Sequence, residues 1–230
     1  MKRRAPKYRV LAACAAVATT AVAAWGISSP DAAADVEVLH ATLRDPGGRV
    51  LGTVTFRVDR HHTRVNAVLR PNAYVAAGAF HGFHLHANSD PANGSGCVAD
   101  PSQPSTTWFV AVDGHYTSPG QGHGHHAGDL PSPLVNDDGT AQLTFTTDRI
   151  EPAELLGRAV ILHAGPDNFG NVPVGAAPDQ YTPNSALASD KTSKTGNAGD
   201  RVGCGLVIAD PRQAATAVPE RADARHGVGP

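Results

Sequence analysis

Val54, Phe56 and Val58 alternate with Thr53, Thr55 and Arg57, and Leu143 and Phe145 alternate with Gln142, Thr144 and Thr146. A period of two predicts strands with one face buried and the other in water. Val36 to Leu43 and Val65 to Leu69 repeat the pattern, while Asp45-Pro46-Gly47-Gly48 and Asn136-Asp137-Asp138-Gly139 place turn residues between apolar runs. Arg158 to His163 (Arg-Ala-Val-Ile-Leu-His) is apolar on both faces, which predicts a central strand. Glu151 to Leu156 predicts a single helical turn. Short strands with frequent turn signals point to an antiparallel sandwich or barrel.

Two stretches break this pattern, Ala87 to Pro133 and Ala164 to Asp200, both rich in Gly, Pro, Asn, Asp and Ser. Loops of that length are uncommon unless functional, and they need anchoring against their chain entropy. Composition agrees: 24 Gly and 18 Pro in 230 residues disfavour long helices, and 41% hydrophobic residues are too many for a disordered chain. Nineteen Lys+Arg against 21 Asp+Glu give a formal charge of -2, so no cationic surface for nucleic acid is expected.

The amino terminus differs in kind. Lys2, Arg3, Arg4, Lys7 and Arg9 precede an apolar run from Val10 to Ile27, and Ala32-Ala33-Ala34 follows as a small-x-small cleavage signal, so 1–34 reads as a secretory leader. Its removal leaves 14 basic and 20 acidic residues, a charge of -6. An uncleaved anchor competes, since the run is just long enough to span a bilayer. A lipid-modified Cys14 competes less well, because the apolar run follows Cys14 instead of preceding it. Arg3-Arg4 hints at twin-arginine export without the matching Phe-Leu, and the route stays open. Cys97 and Cys204 then remain, in a chain bound for an oxidising compartment, and an intrachain disulfide is the simplest reading. Residues 211–230 lack periodicity and read as a flexible tail, leaving 35–210 as one domain.

Twelve histidines are the outlier. His84 and His86 lie two apart in an expected strand, so both imidazoles share one face, as a copper or zinc centre needs. His81 has the opposite parity and reads as a structural, hydrogen-bonded residue. His115, His123, His125, His126 and Asp129 sit on a Gly-rich stretch able to wrap a tetrahedral zinc, against a bland reading as a solvated His-rich segment; the role of His125 stays open. His163 closes the central strand, either as a ligand or as a satisfied core histidine.

The joint pattern is more specific: Gly82-Phe83-His84-Leu85-His86; Gly96-Cys97; His115 with His123; His126-Ala127-Gly128-Asp129-Leu130; His163-Ala164-Gly165-Pro166-Asp167; and Lys194 through Arg201-Val202-Gly203-Cys204-Gly205. In this order the chain closely resembles the copper,zinc superoxide dismutase family in its secreted bacterial form, over roughly Val36 to Ala209. That family is a standard example of the two-sheet sandwich and of electrostatic steering of substrate. The resemblance implies an all-β fold, an eight-stranded antiparallel Greek-key barrel or sandwich with two long functional loops. It implies copper ligated by His84, His86, His115 and His163, and zinc by His115, His123, His126 and Asp129, with His115 shared as an imidazolate. It implies Asp167 hydrogen-bonded to His84 and His123, a Cys97–Cys204 disulfide, and Arg201 beside the copper as a docking point for the superoxide anion. The implied catalytic residues are Arg201 and His115, the latter as proton carrier. The implied reaction converts superoxide to O2 and H2O2 by alternate reduction and reoxidation of copper.

The chain departs from the family pattern at Ala87 and in Val174 to Lys191, so steering by that loop is open. The expectation is an exported protein, secreted or held at the cell envelope, with no membrane span after leader removal; homodimer and monomer both stay open. The alternative function is a catalytically idle extracytoplasmic copper- and zinc-binding protein. A zinc hydrolase is disfavoured, since the chain has no His-Glu-x-x-His helix.

Overall fold

A computed structural model describes residues 37–59, 62–150, 152–169 and 186–210. The strands run in chain order β1 Val38–Arg44, β2 Val50–Asp59, β3 His62–Leu69, β4 Ala79–Phe80, β5 Phe83–His86, β6 Leu134–Val135, β7 Ala141–Thr147, β8 Ala159–His163, β9 Arg201–Leu206 and β10 Ile208–Ala209. Among the described residues two α-helices accompany them, α1 Pro152–Leu155 and α2 Ala186–Thr195. The expected leader at 1–34, the expected tail at 211–230 and residues 170–185 of the second long stretch lie outside the described residues. Among the described residues no helix is long and apolar enough to cross a membrane.

The main sheet has the order β5-β8-β9-β1-β2-β3-β7, with β10 also pairing β1, and β4 and β6 form a separate ribbon. Among the described residues every ladder is antiparallel. Because β9 returns beside β1 while β1, β2 and β3 follow one another, the connection is a Greek key. This is the all-β fold that the resemblance implies.

The period-two positions face inward as the pattern requires. Leu39, Ala41 and Leu43 of β1, Val54 and Phe56 of β2 and Val65, Ala67 and Leu69 of β3 meet Phe83, Leu85, Val160 and Leu162 in one core. Full burial of a side chain such as Phe56 or Phe83 contributes about 1.5–3 kcal/mol, so this shared face dominates the stability of the sheet.

Strand β8 is apolar on both faces because it has a second neighbour. Its other side, Ala159 and Ile161, packs with Trp108, Phe109 and Val112 of the first long stretch and with Cys204 of β9 in a smaller cluster. The Cys97–Cys204 disulfide fastens the same place, with a Cα–Cα distance of 5.5 Å across a sequence separation of 107. A closed loop of that size restricts the unfolded chain by about 4–5 kcal/mol in the chain-entropy account. Packing and cross-link together supply the anchoring that the long loop needs.

Neither long stretch is structureless. The first contains 3-10 turns at Pro91–Asn93, Ser105–Thr107 and Val110–Val112. The second contains α2, which the sequence reading leaves inside a loop. Ala186-Leu-Ala-Ser-Asp-Lys-Thr-Ser-Lys-Thr195 has no apolar stripe for a periodicity to register, so nothing in the pattern marks it. Its last turn is tied down by tertiary contacts: Ser193 O accepts from His123 N at 2.7 Å, and Thr192 is buried.

Candidate metal centre

One edge of β5 pairs with β8, placing His84 opposite Ile161 and His86 opposite Ala159. The first long stretch covers the other edge. Leu85 N donates to Gly128 O at 2.8 Å, Tyr116 N to Leu85 O at 2.8 Å and Ala87 N to Gly114 O at 2.9 Å, with bridges pairing His84 with Asp129 and His86 with His115. A free strand edge offers unpaired N–H and C=O groups; satisfying them is what brings 115 and 129 beside 84 and 86. Gly128 is required there, because a Cβ would collide with Leu85 O. His163 ends β8 at a register shift that sets it opposite Arg201 of β9.

Two groups of donors result. In the first, one nitrogen from each of His84, His86, His115 and His163 lies within 4.8 Å of the others, and all four residues are buried. In the second, Asp129 Oδ1 lies 2.9 Å from His115 Nδ1, 3.1 Å from His123 Nδ1 and 3.2 Å from His126 Nδ1, and His126 Nδ1 is 3.3 Å from His115 Nδ1. His84 also falls within 4.8 Å of His115, His123 and Asp129, since the two groups adjoin.

Hydrogen bonds fix most of the tautomers. A carbonyl or carboxylate oxygen can only accept, so the nitrogen facing it carries the proton and the other nitrogen keeps a lone pair. His86 Nδ1 donates to Asp113 O at 2.8 Å, His163 Nδ1 to Gly199 O at 2.9 Å and His126 Nε2 to Gln121 O at 3.2 Å. His84 Nε2 donates to Asp167 Oδ2 at 2.8 Å and His123 Nε2 to Asp167 Oδ1 at 2.7 Å. The nitrogens left over in the first group, His84 Nδ1, His86 Nε2, His115 Nε2 and His163 Nε2, are buried without any hydrogen-bond partner. Unpaired buried polar atoms each cost about 1–3 kcal/mol. Four converging in one place fit a metal that accepts lone pairs.

Electrostatics follow the burial. Burial pushes His86 and His163 well below the ordinary 6.5, helped by the charge of Arg201 and of neighbouring imidazoles. Burial likewise lowers His115 to about 4, against the opposing pull of Asp129. For His123, burial is outweighed by hydrogen bonds to Asp129 and Asp167, which raise it to about 9. The same contacts outweigh burial for the acids, holding Asp167 at about 2 and Asp129 well below the usual carboxylate range.

Arg201 borders this cluster. Its guanidinium donates to Phe109 O at 2.7 Å and Asp113 O at 2.6 Å, and lines a surface depression with Ser105, Thr106, Trp108, Val110, Gly199 and Asp200.

The family model described as copper/zinc superoxide dismutase (SODC) matches residues 50–207. The chain belongs to the copper/zinc superoxide dismutase family. Membership makes it an oxidoreductase of the superoxide dismutase class, with copper and zinc as its metals. A relative in Mycolicibacterium paratuberculosis named superoxide dismutase [Cu-Zn] is 32% identical over 201 residues, covering 82% of this chain and 85% of that protein. One of the same name in Mycobacterium tuberculosis is 34% identical over 74% of this chain and 69% of its own, and one in Deinococcus radiodurans 34% over 60% and 77%. A solved structure titled as the clock protein EA4 shares the fold at a TM-score of 0.52 and 23% identity, covering 75% of this chain and 94% of that one.

Within this dismutase-family chain the residues singled out in sequence come together: the six imidazoles, Asp129 and Asp167 form one cluster, with Arg201 at its border. His81 precedes β5 and lies outside both donor groups; its ring nitrogens sit 3.0 and 2.9 Å from the carbonyls of His163 and Ala76, so it is a buried, hydrogen-bonded structural residue. His125 is exposed and outside both donor groups. Lys194 pairs with Asp190 at 2.8 Å on α2. The sequence reading misses the carbonyls of Asp113, Gly199 and Gln121, the ring of Phe169 stacked on His123 with centroids 5.7 Å apart, and Gly196. The Thr195-Gly196-Asn197 turn signal is visible in the sequence, but a carbonyl has no sequence signature.

Proposed function

We propose that this chain is a catalytically active, exported superoxide dismutase in which His84, His86, His115 and His163 hold copper and His115, His123, His126 and Asp129 hold zinc. One observation carries the partition. Five of the six imidazoles spend one nitrogen on an acceptor outside the donor groups, a backbone carbonyl or Asp167, whereas His115 spends neither. Its Nδ1 points at Asp129 and its Nε2 is unpartnered beside His84, His86 and His163. Only that ring can serve both groups, and His84, with Nε2 held by Asp167, gives its free Nδ1 to the first. Imidazole nitrogens suit copper, and imidazoles with one hard carboxylate suit zinc.

Copper held there would supply a one-electron redox couple for superoxide, and zinc would supply a fixed positive charge. The balance is two superoxide anions and two protons giving O2 and H2O2. Arg201, held by two carbonyls, offers its positive charge beside His86 and His163 and docks the anion. His115 Nε2 holds and hands over one of the two protons. Asp167 keeps His84 and His123 in the tautomers that leave Nδ1 free.

Export rests on the reading of 1–34 as a leader and 35–210 as the mature domain, with 211–230 as a tail. The Cys97–Cys204 disulfide fits an oxidising compartment outside the cytoplasm. The test is a superoxide assay on mature protein loaded with both metals, together with mass analysis of protein recovered outside the membrane. Acceleration and a new terminus at Asp35 are expected. Stoichiometric metal with no acceleration would leave a metal buffer instead.

A further inference from the structure

Phe109 and Asp113 bracket the 3-10 turn Val110–Val112, and both have positive φ, 56° and 64°. Their carbonyls are the two acceptors of Arg201. Asp113 is the more unusual, because φ 64° with ψ -158° is a conformation that essentially only glycine reaches freely. Its carbonyl also accepts from His86 Nδ1 at 2.8 Å. A side chain in that conformation persists only where its surroundings over-determine it, and here the carboxylate does so. Oδ2 accepts from Ser89 N at 2.6 Å and Asp90 N at 2.8 Å, and Oδ1 accepts from Asn93 Nδ2 at 2.9 Å. These bonds clamp the turn after β5 to the peptide that leads into His115.

We propose that Asp113 is a positioning residue: its carboxylate anchors a strained peptide whose single carbonyl aims both the His86 ring and the Arg201 guanidinium. The orientation of a copper-side imidazole and that of the anion dock are therefore set together. The inference rests on the copper assignment above.

The test uses protein loaded with copper and zinc, in wild-type form and as Asp113→Ala, Asp113→Asn and Asp113→Gly. Three quantities are read: the Cu(II) paramagnetic resonance spectrum, copper affinity by chelator competition, and affinity for azide as an anionic probe. Cobalt(II) placed in the zinc group reports on the rest of the site. Asp113→Ala is expected to shift the Cu(II) spectrum and to lower copper affinity by ~10-fold or more, the usual range for losing a partner of a metal-bound histidine. Azide should bind more weakly, with the cobalt spectrum unchanged. Asp113→Asn keeps an oxygen to accept from Ser89 and Asp90, and should restore the wild-type spectrum and most of the affinity. Asp113→Gly relieves the backbone strain but lacks the anchor, so it should fold even if Asp113→Ala does not and should still show the altered copper signal. Wild-type copper and azide behaviour in Asp113→Gly would overturn the inference alone, as would equal disturbance of copper and cobalt in every variant. Absence of copper from the wild-type imidazoles would overturn the ligand assignment and the inference together.

Discussion

His84 and His123 are held by the two oxygens of a single carboxylate: Asp167 Oδ2 accepts from His84 at 2.8 Å and Oδ1 from His123 at 2.7 Å. In the proposed partition one imidazole belongs to the copper group and the other to the zinc group, so a buried side chain outside both groups orients one member of each. Asp167→Asn would leave one acceptor oxygen and one amide that can only donate, so only one ring keeps its tautomer. We expect chelator competition to show a ~10–100-fold loss of affinity for one metal and a smaller loss for the other. Unchanged affinity for both would mean that the rings are oriented by packing alone.

Gly196 follows α2 with φ 61°, and a Cβ at that position would overlap Asp167 Oδ1 and reach His123 Nε2. Gly196→Ala combines an unfavourable left-handed backbone with this collision, so it should lower the stability of the metal-free protein by about 1–3 kcal/mol. It should also reduce zinc retention. Denaturant unfolding and metal analysis check the two parts separately, and a neutral result in both would remove Gly196 from the account.

The ligand partition makes opposite predictions for two single substitutions. His163→Ala removes a copper-side nitrogen that no zinc-side residue shares, so copper should be lost with zinc largely retained. Asp129→Ala removes the zinc carboxylate together with its bonds to Gly124 N at 2.6 Å and His126 N at 3.0 Å, so zinc should fall and the loop loosen. Equal loss of both metals in His163→Ala, or full zinc in Asp129→Ala, would require a different partition.

Protonation gives the metal-free protein a defined pH profile. His115 is lowered to about 4, and His86 and His163 are also pushed well below 6.5, chiefly by burial. Because these rings bind protons more tightly when unfolded, the stability they confer is full above pH 6.5 and is lost as pH falls from 6.5 toward 4. His123, raised to about 9, has the opposite sign: its contribution is full below pH 6.5 and is lost as pH rises through 9. Thermal unfolding should therefore show a maximum near neutrality with a steep acid limb and a shallower alkaline one. A Tm independent of pH between 4 and 7 would contradict the buried neutral state of these rings.

Arg201 is fixed by two backbone carbonyls, so its charge is presented without its long side chain moving freely. Arg201→Gln should slow capture of superoxide by ~10-fold or more and flatten its dependence on ionic strength, since steering is a screened electrostatic effect. Pulse radiolysis at several salt concentrations measures both. An unaltered salt slope would place the steering charge elsewhere.

Much of this protein was legible in its sequence because the relevant signals are local. Alternation at Val54-Phe56 and Leu143-Phe145 marks strands, since burial on one face of a pleated strand imposes a period of two. His84-Leu85-His86, the His115–Asp129 stretch, and Cys97 with Cys204 offer candidate metal ligands and a cross-link, since those side chains are chemically distinctive. Tertiary structure alone decided which stretches meet. The free edge of β5 draws in Gly128 and Tyr116 and so delivers His115 and Asp129, and β8 is apolar on both faces only because Trp108 and Phe109 cover it. Tertiary structure also decided the tautomers, through the carbonyls of Asp113, Gly199 and Gln121. Every residue carries such a carbonyl, so its role depends on where the folded backbone points it and not on the identity of the residue that bears it.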